Sequence, residues 1–383
     1  MKNSEIMEKL LYIANVRLPT PRAHGLQIMK MCEALSGAGL DVTLAIPEIQ
    51  GISGADSYSY YGVRKNFVIR RFPALNWLFL GFWGYWLRVL TFALSLMILG
   101  RNEWKNHDII FSRDIFLAWL ISYFRRGVFF EMHDWPPRGY WFWGPALRRL
   151  DGIISTNNWK TEKLHLMFGI PWEKIMTCPN GFDPQLFDIK ETKIELRSRL
   201  KIPADKKNAL YSGQLYGWKG VEIMAEAARL LPEIIFIFVG GSGRDLDTFK
   251  NKFGGLKNII MAGQRPYSEI PLWLKAADVL VLPNSSQSEE SRYATSPLKL
   301  FEYMASGVPI VASDLPSIRE IVSEKEVYFF EPDNSEKLVA AVKIILQNYA
   351  AASARAVNAF EKSCLYSWGV RAQSILHFIA SIP

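Results

Sequence analysis

Cysteine is scarce in this chain of 383 residues: Cys32, Cys178 and Cys364 lie far apart and form no CxxC pair. That argues against a disulfide framework or a cysteine-based zinc site, and fits a reducing compartment. The opening MKNSEIMEKLLYIANV carries acids and lacks the apolar core and small-residue cleavage site of a secretory signal, so a cytoplasmic location is expected. No internal repeat or low-complexity tract is present. Acidic residues are outnumbered, 37 against 45 Lys and Arg. Yet no RNP, zinc-finger or helix-turn-helix pattern accompanies the basic charge, so no nucleic-acid partner is expected.

What is present is a globular composition, 49% hydrophobic and 21% charged, which argues against wholesale disorder. The length exceeds one ordinary core and suits two domains. The excess charge is uneven: residues 51–150 hold 13 Lys and Arg against 6 acids. The same stretch contains an apolar run from Leu75 to Gly100, with Trp77, Phe79, Phe82, Trp83, Tyr85 and Trp86, interrupted by Asn76, Arg88 and a few small residues. A basic region next to such aromatics suits an anionic membrane surface, contacted through residues 64–105. Arg88 near the middle of the run argues against a spanning helix. Burial of the aromatics as core helices is the alternative.

Strand and helix alternate along the chain. Leu10–Val16, Val42–Ile46, Asp108–Phe111, Val128–Met132 and Gly152–Ser155 read as strands, with a helix over Gly25–Ala38. After the turn-rich Asn180-Gly181-Phe182-Asp183-Pro184 the chain becomes polar from Asp188 to Lys207, where a boundary is expected. A second alternation follows. Strands are predicted at Ala209–Ser212, Ile234–Val239, Ile259–Ala262, Val279–Leu282 and Pro309–Ala312. Helices are predicted at Val221–Leu231, Arg244–Phe253, Ile270–Ala276 and Pro297–Ala305. The pattern is α/β: two Rossmann-like, doubly wound parallel-sheet domains at 1–190 and 191–365, facing a central cleft, with a helix at 366–383 crossing back to the first. Ligands of such sheets bind beyond the strand C-termini.

The most informative segment is Thr295-Ser296-Pro297-Leu298-Lys299-Leu300-Phe301-Glu302-Tyr303-Met304-Ala305-Ser306-Gly307-Val308-Pro309. Ser296 suits an N-cap, Pro297 the first helical position and Gly307 the helix end. The free N–H groups and positive dipole end of such a helix suit a phosphate. Lys299, a cation where a bare helix prefers an acid, makes sense if an anion is bound. Glu302 could grip vicinal ribose hydroxyls. A capped surface helix with a solvated Lys and Glu is the alternative.

SPLKLFEYMASGVPIVAS resembles the donor-site segment of glycosyltransferase family 4, retaining enzymes of GT-B fold that use nucleotide-sugars. Five further segments are similar in the same order. They are Pro19–Val42, Glu131-Met132-His133-Asp134, Pro179-Asn180-Gly181-Phe182-Asp183, Ser212-Gly213-Gln214-Leu215-Tyr216-Gly217-Trp218-Lys219-Gly220 and Gly240-Gly241-Ser242-Gly243. The resemblance implies that Lys219, with amides near Ser296 and Leu298, neutralises the donor diphosphate, that Glu302 holds the ribose, and that Gly263–Tyr267, including Arg265, borders the base. It implies that His133 lies over the donor sugar. Gly25, beside His24, would let the first loop approach the phosphates and sugar, and Gly213, Gln214 and Lys299 complete the donor set. Gln214 stands where the family usually has arginine, a charge that Arg292, Arg244 or Lys299 could replace. Ala294 stands where it often has glutamate, with Glu289 and Glu290 nearby in the same loop. No metal or cofactor is implied, and a UDP- or GDP-sugar is the expected donor.

The function expected is thus a metal-independent retaining hexosyltransferase of glycan biosynthesis, acting on a lipid-linked acceptor or a growing glycan at the inner face of the membrane. A sugar-nucleotide epimerase-like enzyme of the same fold is one alternative. A catalytically degenerate nucleotide-sugar-binding protein is another.

Overall fold

The computed structural model describes residues 8–49, 56–77, 79, 81–136 and 138–382. The chain divides into two compact units, residues 1–179 with 368–383, and residues 180–367. The division falls at Pro179/Asn180 rather than near 190. The physical reason is packing: Phe182 and Phe187 belong to the core of the second unit with Leu196, Leu210 and Phe301, so the turn-rich segment is anchored before the polar stretch begins.

The first unit is built on seven parallel strands: β1 (Lys9–Ile13), β2 (Asp41–Glu48), β3 (Val68–Pro73), β4 (Ile109–Ser112), β5 (Val128–Met132), β6 (Gly152–Ser155) and β7 (Ile175–Thr177), in the order β3-β2-β1-β4-β5-β6-β7. β4, β5 and β6 are buried along their whole length, as expected of strands covered on both faces. β3 escapes a hydrophobic pattern search because only Phe72 of its six residues is buried; it is a sheet edge. The helix Trp368–Ser381 packs on the helix Ala23–Gly37 of this unit.

The second unit has six parallel strands: β8 (Asn208–Ser212), β9 (Ile235–Val239), β10 (Ile259–Gly263), β11 (Val279–Leu282), β12 (Ile310–Ser313) and β13 (Tyr328–Phe330), in the order β10-β9-β8-β11-β12-β13. Strand order reverses between β1 and β4 in the first sheet and between β8 and β11 in the second. A ligand of such a sheet seats at that reversal, beyond the strand C-termini.

Most of the apolar run Leu75–Gly100 lies in the helix Phe82–Ile98. Among the described residues no helix is long and apolar enough to cross a membrane. The run is not all core: Gly84, Val89, Phe92, Ala93 and Leu96 are buried on one face, while Phe82, Trp83, Leu90, Leu94 and Ile98 are exposed.

Candidate active site

In the second unit the switch point is built from the turn after β8, the loop after β11 and the helix Leu298–Ser306. That helix begins one residue later than its sequence suggests. Its N-cap is Pro297, extended at φ −75°, ψ 116°, with no side-chain cap. Ser296 does not cap because its hydroxyl accepts from the Asn180 N–H at 3.2 Å, while its carbonyl accepts from Asn180 Nδ2 at 2.8 Å. The first-turn amides at Leu298 and Lys299 therefore carry no capping group.

Lys299 is only 9% exposed, yet its Nζ has no hydrogen-bond partner. It lies 3.8 Å from the centre of the Tyr211 ring, and a Cβ at Gly213 would come within 2.9 Å of it. Gly213, at φ +131°, is thus glycine both for its backbone and for the space Lys299 occupies. The Tyr211 hydroxyl donates to the Gln214 carbonyl at 2.8 Å. Burial, and then the charge of Lys219, hold the Lys299 amine well below its ordinary pKa. Lys219 stacks 3.6 Å over Trp218; burial lowers it to about 8, against an opposing pull from Glu290. Two lysines close enough to repel each other when charged, one of them without a hydrogen-bond partner in the first turn of a helix, make an arrangement that suits an anion.

Glu302, one turn after Lys299, is 7% exposed. Burial raises its carboxyl to about 7, opposed by the hydrogen bond from Tyr267 and by Lys299. A carboxylate kept near its titration point gains by accepting new hydrogen bonds, which suits vicinal hydroxyls. Arg265, in the turn after β10, is exposed over Trp273 at 5.5 Å. Ala294 is buried inside a π-helical turn, Glu290–Ala294. Of the two glutamates in this loop it is Glu290 whose field reaches Lys219.

In the first unit, His133 follows β5 directly. Its carbonyl accepts from the buried Lys160 Nζ, and its Nε2 lies 3.2 Å from Glu131 Oε2. The approach is off the N–H axis, so the contact is chiefly electrostatic. Burial and Arg113 lower the ring to about 4 against Glu131; His24 is lowered to about 4 by burial, Arg113 and Arg22. Arg113, just past β4, donates to Gln27 Oε1 at 3.1 Å. Gly25 has a packing reason to be glycine, because a Cβ there would collide with the Tyr61 hydroxyl. That hydroxyl donates to the Thr20 carbonyl at 2.9 Å and accepts from the Thr20 N–H at 2.7 Å. Sequence reasoning gave no role to Glu131, Arg113, Arg371 or Tyr211; only Glu131 lay inside a quoted segment.

Residues 25–186 match Glycosyltransferase Family 4, and residues 192–362 match Glycosyl transferases group 1. A putative teichuronic acid biosynthesis glycosyltransferase of Bacillus subtilis is 26% identical over 203 residues, 52% of this chain and 49% of that protein. An uncharacterized glycosyltransferase of Methanocaldococcus jannaschii is 27% identical over 232 residues, 56% of each chain. The matched region spans about half the length of these curated relatives. Among solved structures, sucrose-phosphate synthase from Thermosynechococcus elongatus superposes with a TM-score of 0.79 at 16% identity, covering 97% of this chain and 98% of that one. Anabaena HepE, solved in complex with UDP and glucose, gives 0.75 at 18% identity, covering 98% and 100%. Both are glycosyltransferase-like in fold, two α/β units of the GT-B type.

Proposed function

Because the chain belongs to glycosyltransferase family 4, we propose that it transfers a sugar from a nucleoside-diphosphate sugar to a hydroxyl acceptor, with retention at the anomeric carbon and without a metal. The observation that carries this reading is Lys299: a buried amine without a hydrogen-bond partner, in the first turn of a helix and within the field of Lys219. Such an arrangement is costly when empty and favourable when a diphosphate fills it. The UDP and UDP-glucose held by the HepE structures support that choice of ligand.

In this reading Lys219, Lys299 and the first-turn amides meet the charge that grows on the diphosphate as the glycosidic bond lengthens. The departing oxygen takes the proton of the incoming hydroxyl. The hydroxyl oxygen forms the new bond on the same face, and the electrons of the broken bond leave with the diphosphate. Glu302 accepts from the ribose hydroxyls, Arg265 lies toward the base, and His133 is assigned to the transferred sugar. Thermal shift with UDP, GDP and ADP in excess chelator tests the donor site. A rise in melting temperature with at least one of them is expected. No shift with any, or shifts that vanish with chelator, overturns it.

The exposed apolar face of Phe82–Ile98 is proposed to dock on an anionic bilayer, where a lipid-linked acceptor or growing glycan is met. Leu90, Leu94 and Ile98 recur at helical spacing on that face, and Phe82 and Trp83 stand exposed at its start. The following helix, Arg101–Asn106, exposes Arg101 and Lys105, whose charge complements acidic headgroups.

A further inference from the structure

The Glu131 carboxylate is 2% exposed and is met from several elements of the first unit. From β1, the Tyr12 hydroxyl donates to it at 2.7 Å. Arg113 approaches from the end of β4 at 3.6 Å, and His133 Nε2 lies at 3.2 Å. From the helix Trp368–Ser381, Arg371 Nη2 reaches it at 2.7 Å. The thiol of Cys32, from the helix Ala23–Gly37, is also within its field, and Lys160 holds the His133 carbonyl.

Arg371 is itself 3% exposed. Its Nε donates to the Pro179 carbonyl at 2.8 Å, Nη2 also to the Cys178 carbonyl at 3.2 Å, and Nη1 to the Met31 sulfur at 3.1 Å. With every nitrogen engaged, this guanidinium is not available to a ligand. A buried ion pair of this kind is weak evidence for stability, because desolvation offsets most of its attraction. Its geometry gives it another use.

We infer that Glu131, held as a carboxylate by Arg371, keeps the proton of a neutral His133 on Nε2 and leaves Nδ1 as the ring nitrogen presented to a ligand. The negative charge of a carboxylate 3.2 Å from Nε2 favours an N–H over a lone pair at that nitrogen even where the contact lies off the N–H axis, so the proton sits there. Arg113 and Arg371 already bring positive charge to the ring, which opposes a second proton. Two further facts agree. Although burial alone would raise Glu131, Arg371 and Arg113 hold it well below the carboxylate range. The His133 side chain keeps 13% exposure, and among the described residues none hydrogen-bonds Nδ1. The group His133 meets must therefore be a hydrogen-bond donor, such as a sugar hydroxyl, and not an anion. Glu131 and Arg371 are positioning residues, and the chain's last helix supplies part of the first unit's site. Only the sugar-hydroxyl step rests on the assignment of His133 to the transferred sugar.

Imidazole 15N NMR of the full chain tests the network, with His133→Gln identifying the signal among five histidines. The expected result is an Nε2–H tautomer that stays neutral down to pH 5. Arg371→Met should move His133 protonation up by at least one pH unit, and Arg371→Lys should restore it. If Arg371→Met does not fold, Glu131→Gln serves in its place, with the single tautomer giving way to a mixture. An Nδ1–H tautomer in the wild type, or an unmoved titration in a folded variant, overturns the inference. Transfer assays separate the reading beneath it. The acid limb of kcat should follow the NMR titration with the donor KM unchanged; a limb that stays put while the titration moves removes His133 from the sugar and leaves the charge network standing.

Discussion

Replacing Lys299 with methionine puts the donor-site argument at greatest risk, because it should help the empty protein and harm the liganded one. The side chain is buried and its Nζ has no hydrogen-bond partner. Its compensation is the Tyr211 ring face at 3.8 Å, a contact worth roughly 1–2 kcal/mol. Against this stands an ion-desolvation penalty of several kcal/mol, limited because the amine can shed its proton. Methionine keeps the length and apolar stem, so a net gain of about 1–3 kcal/mol is expected in the apoprotein. At roughly 2–4 °C per kcal/mol for a unit of this size, the melting temperature should rise by about 2–12 °C. With nucleotide at a hundred times Kd, the wild type should gain about 2.7 kcal/mol. Loss of one charge-assisted contact, about 2–3 kcal/mol, weakens Kd on the order of a hundredfold and cuts that gain to about 0.4 kcal/mol. Differential scanning fluorimetry with and without UDP, in chelator, reads both numbers. An apoprotein that melts lower than wild type, or a variant that keeps the full UDP shift, refutes the reasoning.

Lys219→Ala and Glu302→Ala should each weaken nucleotide binding by about 2–4 kcal/mol; wild-type affinity by calorimetry in either contradicts the assignment. Because Lys219 is lowered to about 8, a diphosphate must restore its proton at higher pH. Affinity should therefore fall up to about tenfold per pH unit above 8, a limb that should weaken in Lys219→Met to the part due to Lys299. His24 and His133 are lowered to about 4, so the unfolded chain binds more protons between pH 6.5 and 4. Stability should fall as pH drops through that window, and urea midpoints at several pH values check the slope, whose absence or reversal counts against buried neutral histidines. For the bilayer, co-sedimentation with anionic vesicles should fall with salt and with Arg101→Glu plus Lys105→Glu, and drop further with Leu94→Glu. Equal recovery in the supernatant with and without vesicles at low salt ends that idea.

Much of the scaffold was legible because it is written locally. β5, β6 and β11 are short apolar runs bounded by turns, and they form where the pattern puts them. The two-sheet α/β architecture follows from strand–helix alternation. β3, β7 and β13 were missed for a shared reason: they are sheet edges or next to one, short or polar, and their pairing is decided by neighbours already in place. The N-cap was misread because the Ser296 hydroxyl had a rival partner, Asn180, 116 residues away.

The sequence by itself determined the order of elements, the family and which side chains could bind a phosphate, since these depend on periodicity, turn chemistry and spacing within a few residues. Only the tertiary structure decided which charges are paired. It put the Lys299 amine beside Gly213 and left it without a hydrogen-bond partner, and it carried Arg371 to Glu131, 239 residues lying between them in the sequence. Burial and long-range Coulomb contacts arise when separate strands and helices converge, and no local pattern in the chain records them.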